Sequence, residues 1–312
     1  MPTIEERVEW IADQVRRRLS RHGAVVQTSG GIDSAVTVFL AARALGPENV
    51  LALFLPDAAT GPETRECARA VAEGAGVAWL EQSIAASIEA QQPWSEVGVI
   101  VSAYFPDFDP ATDAFSLDLA ADLSARLGSQ VYHLAVGPRH GAATRKKIIR
   151  SEDLRALIAY QNRKQRTRMT FAYAIAEAKG WAVLGASNGD ELETGFVVKY
   201  GDDAADLYAI GDCTKPEVYE LAEALGVPQL VVQRPPTTDT FALVQSQQDY
   251  YYALPAALQR ELIETGSGPL DAIAERAPGW SPAALANLRR SLQATVRYNH
   301  TRSALITEPD PS

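Results

Sequence analysis

The segment Ser29–Ser34, with the sequence SGGIDS, is the feature that most restricts what this chain can fold into. It follows a short apolar run, Ala24–Thr28, and precedes a stretch with helical periodicity, Ser34–Leu45. Two adjacent glycines let the backbone turn tightly, and the start of a helix adds N–H groups that attract an anion. A strand, a glycine turn and a helix in this order predict a phosphate-binding loop at the carboxyl end of a strand in a parallel sheet.

The rest of the chain alternates apolar runs with helical patterns, which indicates parallel strands joined by right-handed crossovers. We expect an α/β fold with a Rossmann-like parallel sheet flanked by helices. The predicted strands after the first are Val50–Leu55, Val77–Leu80, Trp181–Gly185 and Leu207–Ile210, and the predicted helices are Thr64–Ala75, Ser151–Lys179 (capped by Ser151) and Lys215–Leu225.

We expect a single domain over residues 1–312. Residues 92–150 carry no strong motif and are interpreted as an insertion, with a helix near Leu117–Leu127 and β-like residues at Gln130–Val136. Residues 240–312 are predicted to be mainly helical, through Leu254–Glu264 and Pro282–Arg297.

Composition excludes several classes of function. The net charge of −10 is unfavourable for general nucleic-acid binding, although it leaves room for a local basic pocket. No stretch approaches the ~18 apolar residues of a spanning helix, and the first residues do not resemble a signal peptide. Two cysteines, Cys67 and Cys213, are too few for a thiolate metal cluster. A reduced, cytoplasmic setting without a membrane or nucleic-acid partner is expected.

Asp33 indicates what the loop binds. A carboxylate would repel a phosphate directly, so its useful role is to hold a divalent cation that the phosphates share. Ser29 and Ser34 would add hydroxyl donors. The alternative is an ordinary strand-to-helix turn rich in glycine and serine.

The loop resembles that of the ATP-pyrophosphatase (PP-loop) superfamily, whose members carry SGGxDS here and cleave ATP to AMP and pyrophosphate. The Walker spacing GxxxxGK[ST] is absent. Further stretches resemble the NAD synthetase family of the ammonia-dependent type, over roughly Val8–Leu80 and Ala159–Asp239. They are the R-x-R-M segment Arg166–Met169, the run Gly185–Glu191, KYGDDAADL at Lys199–Leu207, Lys215 in the next helix, and the Pro-Thr loop Pro235–Asp239.

This resemblance implies a role for each matching residue. Asp33 and Glu191 would hold Mg²⁺ on ATP, and Lys215 would offset the charge of the departing pyrophosphate. Thr237 would contact the phosphates from a loop able to close over them. Taken singly, Glu191 and Lys215 could instead be an exposed helix acid and a surface lysine. The implied ATP contacts also include Ser29, Gly30, Gly31, Ser34, Arg166 and Ala186, and the implied substrate contacts are Lys199, Asp202 and Asp206.

The family resemblance implies an enzyme that adenylates nicotinic acid adenine dinucleotide and transfers ammonia to it. ATP and Mg²⁺ are the implied cofactors, and a separate amidotransferase is left open as the ammonia source. The family's tight homodimers, together with the apolar run of Met169, Phe171, Tyr173 and Ile175, predict a homodimer that buries the helix Ser151–Lys179.

Some positions depart from the family pattern and keep alternatives open. Ala186 stands where a threonine is common, Asp203 replaces a glycine, and TFALVQSQQDYYYALP follows Asp239. The second hypothesis is therefore an amide ligase of the same mechanism that acts on another carboxylic acid, in specialised metabolism. A PP-loop sulfur transferase or RNA-modifying enzyme and a non-catalytic nucleotide-binding module are disfavoured.

Overall fold

A computed structural model of the chain describes residues 2–92, 94–235, 241–266 and 268–301. A five-stranded sheet and a three-stranded sheet form its framework. In the described residues the strands are β1 (Ala24–Gln27), β2 (Val50–Phe54), β3 (Ala78–Glu81), β4 (Asp113–Leu119), β5 (Tyr132–Pro138), β6 (Arg145–Ile148), β7 (Ala182–Gly185) and β8 (Leu207–Tyr208).

Helices surround both sheets. The α-helices of the described residues are α1 (Ile4–Asp13), α2 (Ile32–Leu45), α3 (Pro62–Ala75), α4 (Ala85–Gln91), α5 (Trp94–Tyr104), α6 (Ala121–Leu127), α7 (Ser151–Lys179), α8 (Gly189–Thr194), α9 (Lys215–Leu225), α10 (Gln229–Val232), α11 (Gln247–Tyr250), α12 (Ala256–Glu264), α13 (Asp271–Arg276) and α14 (Pro282–His300). A π-helical turn, Gln14–Arg18, continues α1, and 3₁₀ turns lie at Pro47–Asn49 and Asp202–Ala204.

The large sheet is parallel throughout, in the order β3-β2-β1-β7-β8. Its strands are apolar on both faces because helices cover both sides. Val26 and Ala52 point into a core formed with α1, α2 and α9. Val25 and Val183 point the other way, into a core formed with α7 and the small sheet. The predicted parallel α/β fold is confirmed.

The small sheet lies inside the segment that was interpreted as an insertion. It is antiparallel, in the order β4-β5-β6. Phe115 and Leu134 of this sheet belong to the same apolar cluster as Val25 of the large sheet. The small sheet is therefore built against the large one rather than apart from it.

Two local predictions were wrong. The helix expected near Leu117–Leu127 begins only at Ala121, because the residues before it form β4 and pair with β5. Pairing with a distant strand outweighs local helix propensity there. The helix Ser151–Lys179 has the predicted bounds, but its N-cap is Arg150, which makes no side-chain cap hydrogen bond.

Other predicted elements have bounds close to those expected, whereas β6, α4, α5 and α8 were not predicted from the sequence. The helix Lys215–Leu225 agrees with its prediction, and Gly226 ends it in the left-handed conformation. The C-terminal helices α12, α13 and α14 pack on one another through a third apolar cluster that includes Leu262, Leu285 and Leu292. Across the described ranges, none of the helices combines the length and the apolar character that crossing a bilayer requires.

Candidate active site

A cavity of about 670 Å³ lies at the carboxyl ends of β1, β2 and β7. The order of the sheet places β1 between β2 and β7, so the crossovers from β1 and from β7 leave in opposite directions. Open α/β sheets bind ligands at such a switch point, outside the carboxyl ends of the strands. The loop after β1 and the loop after β7 both line this cavity.

The glycine loop is held in shape by its own side chains. Gly30 adopts a left-handed φ of 73°, and a Cβ there would meet Thr64 O at 2.6 Å. The Ser34 hydroxyl accepts from the backbone N–H of Ser29 at 3.2 Å and donates to Gly31 O at 2.9 Å. The Ser29 hydroxyl accepts from Gly31 N–H at 3.3 Å. The two serines predicted to contact ATP therefore also brace the loop.

Asp33 joins the two loops. It lies in the first turn of α2, and its carboxylate forms an ion pair with the Lys215 ammonium from the first turn of α9. Asn188, in the loop after β7, donates from its side-chain nitrogen to Asp33 Oδ1 at 2.9 Å. Residues that stand 182 positions apart in the chain thus share one charged cluster.

Glu191 is the second carboxylate of the cluster. It caps its own helix, since Asn188 N–H donates to Glu191 Oε2 and the Asn188 side chain accepts from Glu191 N–H at 3.0 Å. Its other oxygen accepts from Gln247 Nε2 at 3.1 Å. Burial, and next the charge of Asp33, raise the pKa of Glu191 to about 8, although Lys215 opposes the shift. The Lys215 ammonium alone therefore does not compensate for a second ionised carboxyl group beside Asp33.

Lys215 is fixed at its backbone as well as at its ammonium. Its N–H donates to Asp190 Oδ2 at 2.8 Å, and Asp190 Oδ1 accepts from Arg260 Nη1 at 3.0 Å. Burial lowers the pKa of Lys215, but the carboxylates of Asp33 and Glu191 outweigh burial and raise it above its usual value. Lys215 is accordingly a cation at neutral pH.

Basic side chains collect in this cavity although the whole chain is acidic. Arg166 donates from Nε to Lys199 O at 3.0 Å, and the Lys199 ammonium donates to Tyr298 O at 2.9 Å. Several cations next to a glycine loop favour a ligand with several phosphates. The basic residues that line the cavity are Arg166, Arg168, Lys199, Lys215 and Arg234.

The two acids predicted to bind substrate differ in their position. Asp202 lines the cavity and accepts from Val198 N–H at 2.5 Å, and burial raises its pKa to about 7. Asp206 does not line the cavity. Its oxygens accept from the Tyr173 hydroxyl at 2.9 Å and from Val183 N–H at 2.8 Å, so it ties α7 to β7.

The structure thus gathers most of the residues predicted from the sequence. Gly30 faces Thr64 and Cys67 rather than the cavity, and Thr237 lies outside the described residues. The predicted residues that line the cavity are Ser29, Gly31, Asp33, Ser34, Arg166, Ala186, Glu191, Lys199, Asp202 and Lys215.

Other lining residues were missed. Gln27 and Leu55 lie at the ends of β1 and β2, where the apolar pattern alone could have placed them. Gln247, Thr295 and Tyr298 come from the C-terminal helices, and only the packing of those helices brings them to the cavity. No sequence signal identifies that second group.

Asp33 and Glu191 could together hold a divalent cation. Both line the cavity, and after burial the charge of Asp33 is the largest cause of the raised pKa of Glu191, so ionising Glu191 is unfavourable unless a further cation is present. Carboxylate oxygens are the ligands that Mg²⁺ prefers, together with the phosphates of a substrate. The described residues contain no group of three or more His, Cys, Asp or Glu side chains able to hold a metal, so the substrate would complete the coordination.

The chain is similar in sequence to known proteins of one family. The sequence model of a family described as NAD synthase matches residues 3–97 and 100–275. The chain is 38% identical over 239 residues to the NH₃-dependent NAD⁺ synthetase of Rhizobium meliloti strain 1021, covering 77% of this chain and 71% of that protein. It is 35% identical over 252 residues to the same enzyme of Rhizobium rhizogenes strain K84, covering 81% and 75%.

Solved structures share the fold at lower identity. The NMN synthetase from Francisella tularensis matches with a TM-score of 0.63 at 19% identity, over 98% of this chain and 97% of that one. The NH₃-dependent NAD synthetase from Campylobacter jejuni matches with a TM-score of 0.55 at 20% identity, over 97% and 100%.

Proposed function

The chain belongs to the NAD synthase family, and from that membership and its site we propose that it is an ATP-dependent NAD synthetase. It adenylates the carboxylate of nicotinic acid adenine dinucleotide and transfers ammonia to it. The observation that carries the proposal is the meeting of Asp33, Glu191 and Lys215 beside the glycine loop in one cavity.

The reaction has two steps, and no protein nucleophile is needed. A carboxylate oxygen attacks the α-phosphorus of ATP, and the bond to the β,γ-diphosphate breaks, which gives an acyl-adenylate and pyrophosphate. The nitrogen of ammonia then attacks the acyl carbon, AMP leaves, and a proton is released from nitrogen. The protein's work is to orient the reactants and to stabilise charge that moves onto the leaving groups.

Lys215 would stabilise the departing pyrophosphate. Its ammonium is partly buried and paired with Asp33, and it lines the same cavity as the glycine loop. It can leave Asp33 for a phosphate only if another cation neutralises Asp33. Arg166 and Lys199, further along the cavity, are placed to bind phosphates of either substrate.

Asp33 and Glu191 would hold Mg²⁺ on ATP. Bound there, Mg²⁺ would withdraw charge from the phosphate oxygens and keep both carboxylates ionised. The N-cap bonds of Asn188 and the bond from Gln247 keep Glu191 oriented for this role.

The proposed activity is tested by pyrophosphate release from ATP, with the dinucleotide acid supplied with and without ammonium. We expect AMP and pyrophosphate in equal amounts and the amide only when ammonium is present. A panel of other carboxylic acids serves as the control. Release that requires one of those acids and ignores the dinucleotide would instead favour the alternative ligase.

Binding separates the two substrates without relying on turnover. We expect calorimetric titration with nicotinic acid adenine dinucleotide, in the presence of a non-hydrolysable ATP analogue, to give a saturable heat. The physical reason is that several cations and the acid Asp202 line the same cavity as the glycine loop. No heat at millimolar ligand would exclude the dinucleotide as acceptor.

We also propose that two copies of the chain associate through α7. Met169 is buried, but Phe171, Tyr173 and Ile175 of this helix are only half-buried. We expect light scattering at micromolar concentration to give the mass of a dimer. A single 33.7 kDa species across that range would refute the prediction.

We place the activity in the cytoplasm, where reduced thiols are the rule. Cys67 and Cys213 are both buried, and burial raises the pKa of the Cys213 thiol to about 12. The Cys213 thiol is therefore not activated for chemistry. Free ammonia or a separate amidotransferase would supply the nitrogen.

A further inference from the structure

One arginine connects the C-terminal helix α12 to the charged cluster of the cavity. Arg260 Nη1 donates to Asp190 Oδ1, and Asp190 Oδ2 accepts the backbone N–H of Lys215. Asp190 is only 7% exposed, so both contacts are shielded from water. Helix α12, which carries none of the site residues predicted from the sequence, is thus linked through Asp190 to the first residue of α9.

The backbone bond decides where Lys215 stands. Lys215 is the first residue of α9, and the N–H of a first residue has no partner inside its own helix. Thr214 and Glu217 form a capping box that satisfies other groups of this turn. Asp190 supplies the acceptor for Lys215, and a carboxylate is favoured at a helix N-terminus. The acceptor therefore sets the direction in which the Lys215 side chain starts toward Asp33.

Arg260 also settles the charge of Asp190. The acids Asp33, Glu191 and Asp202 line the cavity. Asp190 lies beside Glu191 in the chain, and without a counter-ion its charge would further repel incoming phosphates. Arg260 neutralises the charge of Asp190 through an ion pair at Oδ1 and leaves Oδ2 as the acceptor for the Lys215 N–H. Its guanidinium is held by two further acids, Glu193 at 3.3 Å and Glu264 at 3.8 Å.

We infer that Arg260 is a positioning residue, which acts through Asp190 to hold Lys215 where the pyrophosphate departs. This inference rests on the proposed function, because the work of Lys215 is defined by that departure. It assigns a task to helix α12, which carries none of the site residues predicted from the sequence. Helix α12 would thus orient Lys215 without itself touching the substrate.

The first test is Arg260→Gln, alone and combined with Asp190→Asn. Arg260→Gln should lower kcat for pyrophosphate release about tenfold, or ~1.4 kcal/mol, with the KM of the carboxylate within about twofold. The double variant should recover to within about threefold of wild type, because asparagine keeps an acceptor and needs no counter-ion. A kcat within twofold of wild type in Arg260→Gln, or a double variant as slow as it, would overturn the inference.

A second comparison decides the matter even if Arg260→Gln does not fold. Asp190→Asn keeps an acceptor for the Lys215 N–H, whereas Asp190→Ala has none. We expect kcat of the alanine variant to lie at least about fivefold below that of the asparagine variant, and equal values would overturn the inference. Melting temperatures monitor folding in every variant.

Arg276→Gln is the matched control. Arg276 lies at the end of α13 and forms an exposed ion pair with Glu261, which is on α12 as Arg260 is. It should leave kcat unchanged, and a loss equal to that of Arg260→Gln would mean that general weakening of α12 explains the effect. Wild-type protein that releases no pyrophosphate would refute the proposed function and the inference together. An active wild type with an indifferent Arg260→Gln would refute the inference alone.

Discussion

Replacing Asp33 by asparagine should reduce Mg²⁺-dependent pyrophosphate release roughly a hundred- to a thousand-fold, the range found when one charge-stabilising group is lost from an active site. Asparagine has nearly the same shape, so the glycine loop keeps its fold. The variant loses the charge that holds Mg²⁺ and that pairs with Lys215. Steady-state release of pyrophosphate at saturating ATP measures the effect.

The matched control is Asp122→Asn, since Asp122 is also an acid in the first turn of a helix but is exposed and does not line the cavity. Its rate should equal that of wild type. Without Asp33 the pKa of Glu191 should also fall, because one of the two largest causes of its elevation is gone. Wild-type turnover in Asp33→Asn would refute the metal assignment.

Replacing Lys215 by methionine should lower the same rate by a similar factor, about a hundredfold or more. The variant removes the partly buried ammonium that we propose faces the departing pyrophosphate, and it keeps a side chain of similar length. Two carboxylates then face each other without a counter-ion, and the pKa of Glu191 should rise further because Lys215 opposes its elevation. Single-turnover formation of AMP measures the loss.

Mg²⁺ binding distinguishes this interpretation from simple damage to the site. In the wild type, Lys215 competes with any cation for Asp33, so the methionine variant should gain more in melting temperature from added Mg²⁺. Lys179→Met is the control, because Lys179 is an exposed lysine that contacts Trp181 outside the cavity. A variant that turns over normally, or that responds to Mg²⁺ less than wild type, would contradict the assignment.

The sequence predicts the parallel sheet well, because short apolar runs that alternate with helical patterns are compatible with few other folds. The bounds of α7 and α9 could be predicted for the same reason: each ends at a glycine in the left-handed conformation. The last residues of β4, Leu117–Leu119, could not, since they become a strand only by pairing with β5. Non-local pairing of this kind leaves little trace in the local pattern.

The ATP side of the cavity was predictable because its residues follow strand ends. Asp33 and Glu191 each stand just beyond a strand, and adjacent parallel strands bring such positions together. Asp206 shows the limit of that reasoning: it lies in a motif, yet its oxygens are taken by Tyr173 and Val183. The contacts of Arg260 and Gln247 depend on helix packing, which no spacing in the sequence specifies.

During synthesis, the central strand β1 is translated long before one of its two neighbours, β7. Ala24 of β1 pairs with Val50 of β2, which is made almost at once, and with Ala182 of β7. At about 5–20 residues per second, the ribosome needs roughly ten seconds between the two. The glycine loop is therefore translated well before Lys215. The capacity to cleave ATP arises only when the last third of the protein has been translated and has closed onto a half-finished sheet.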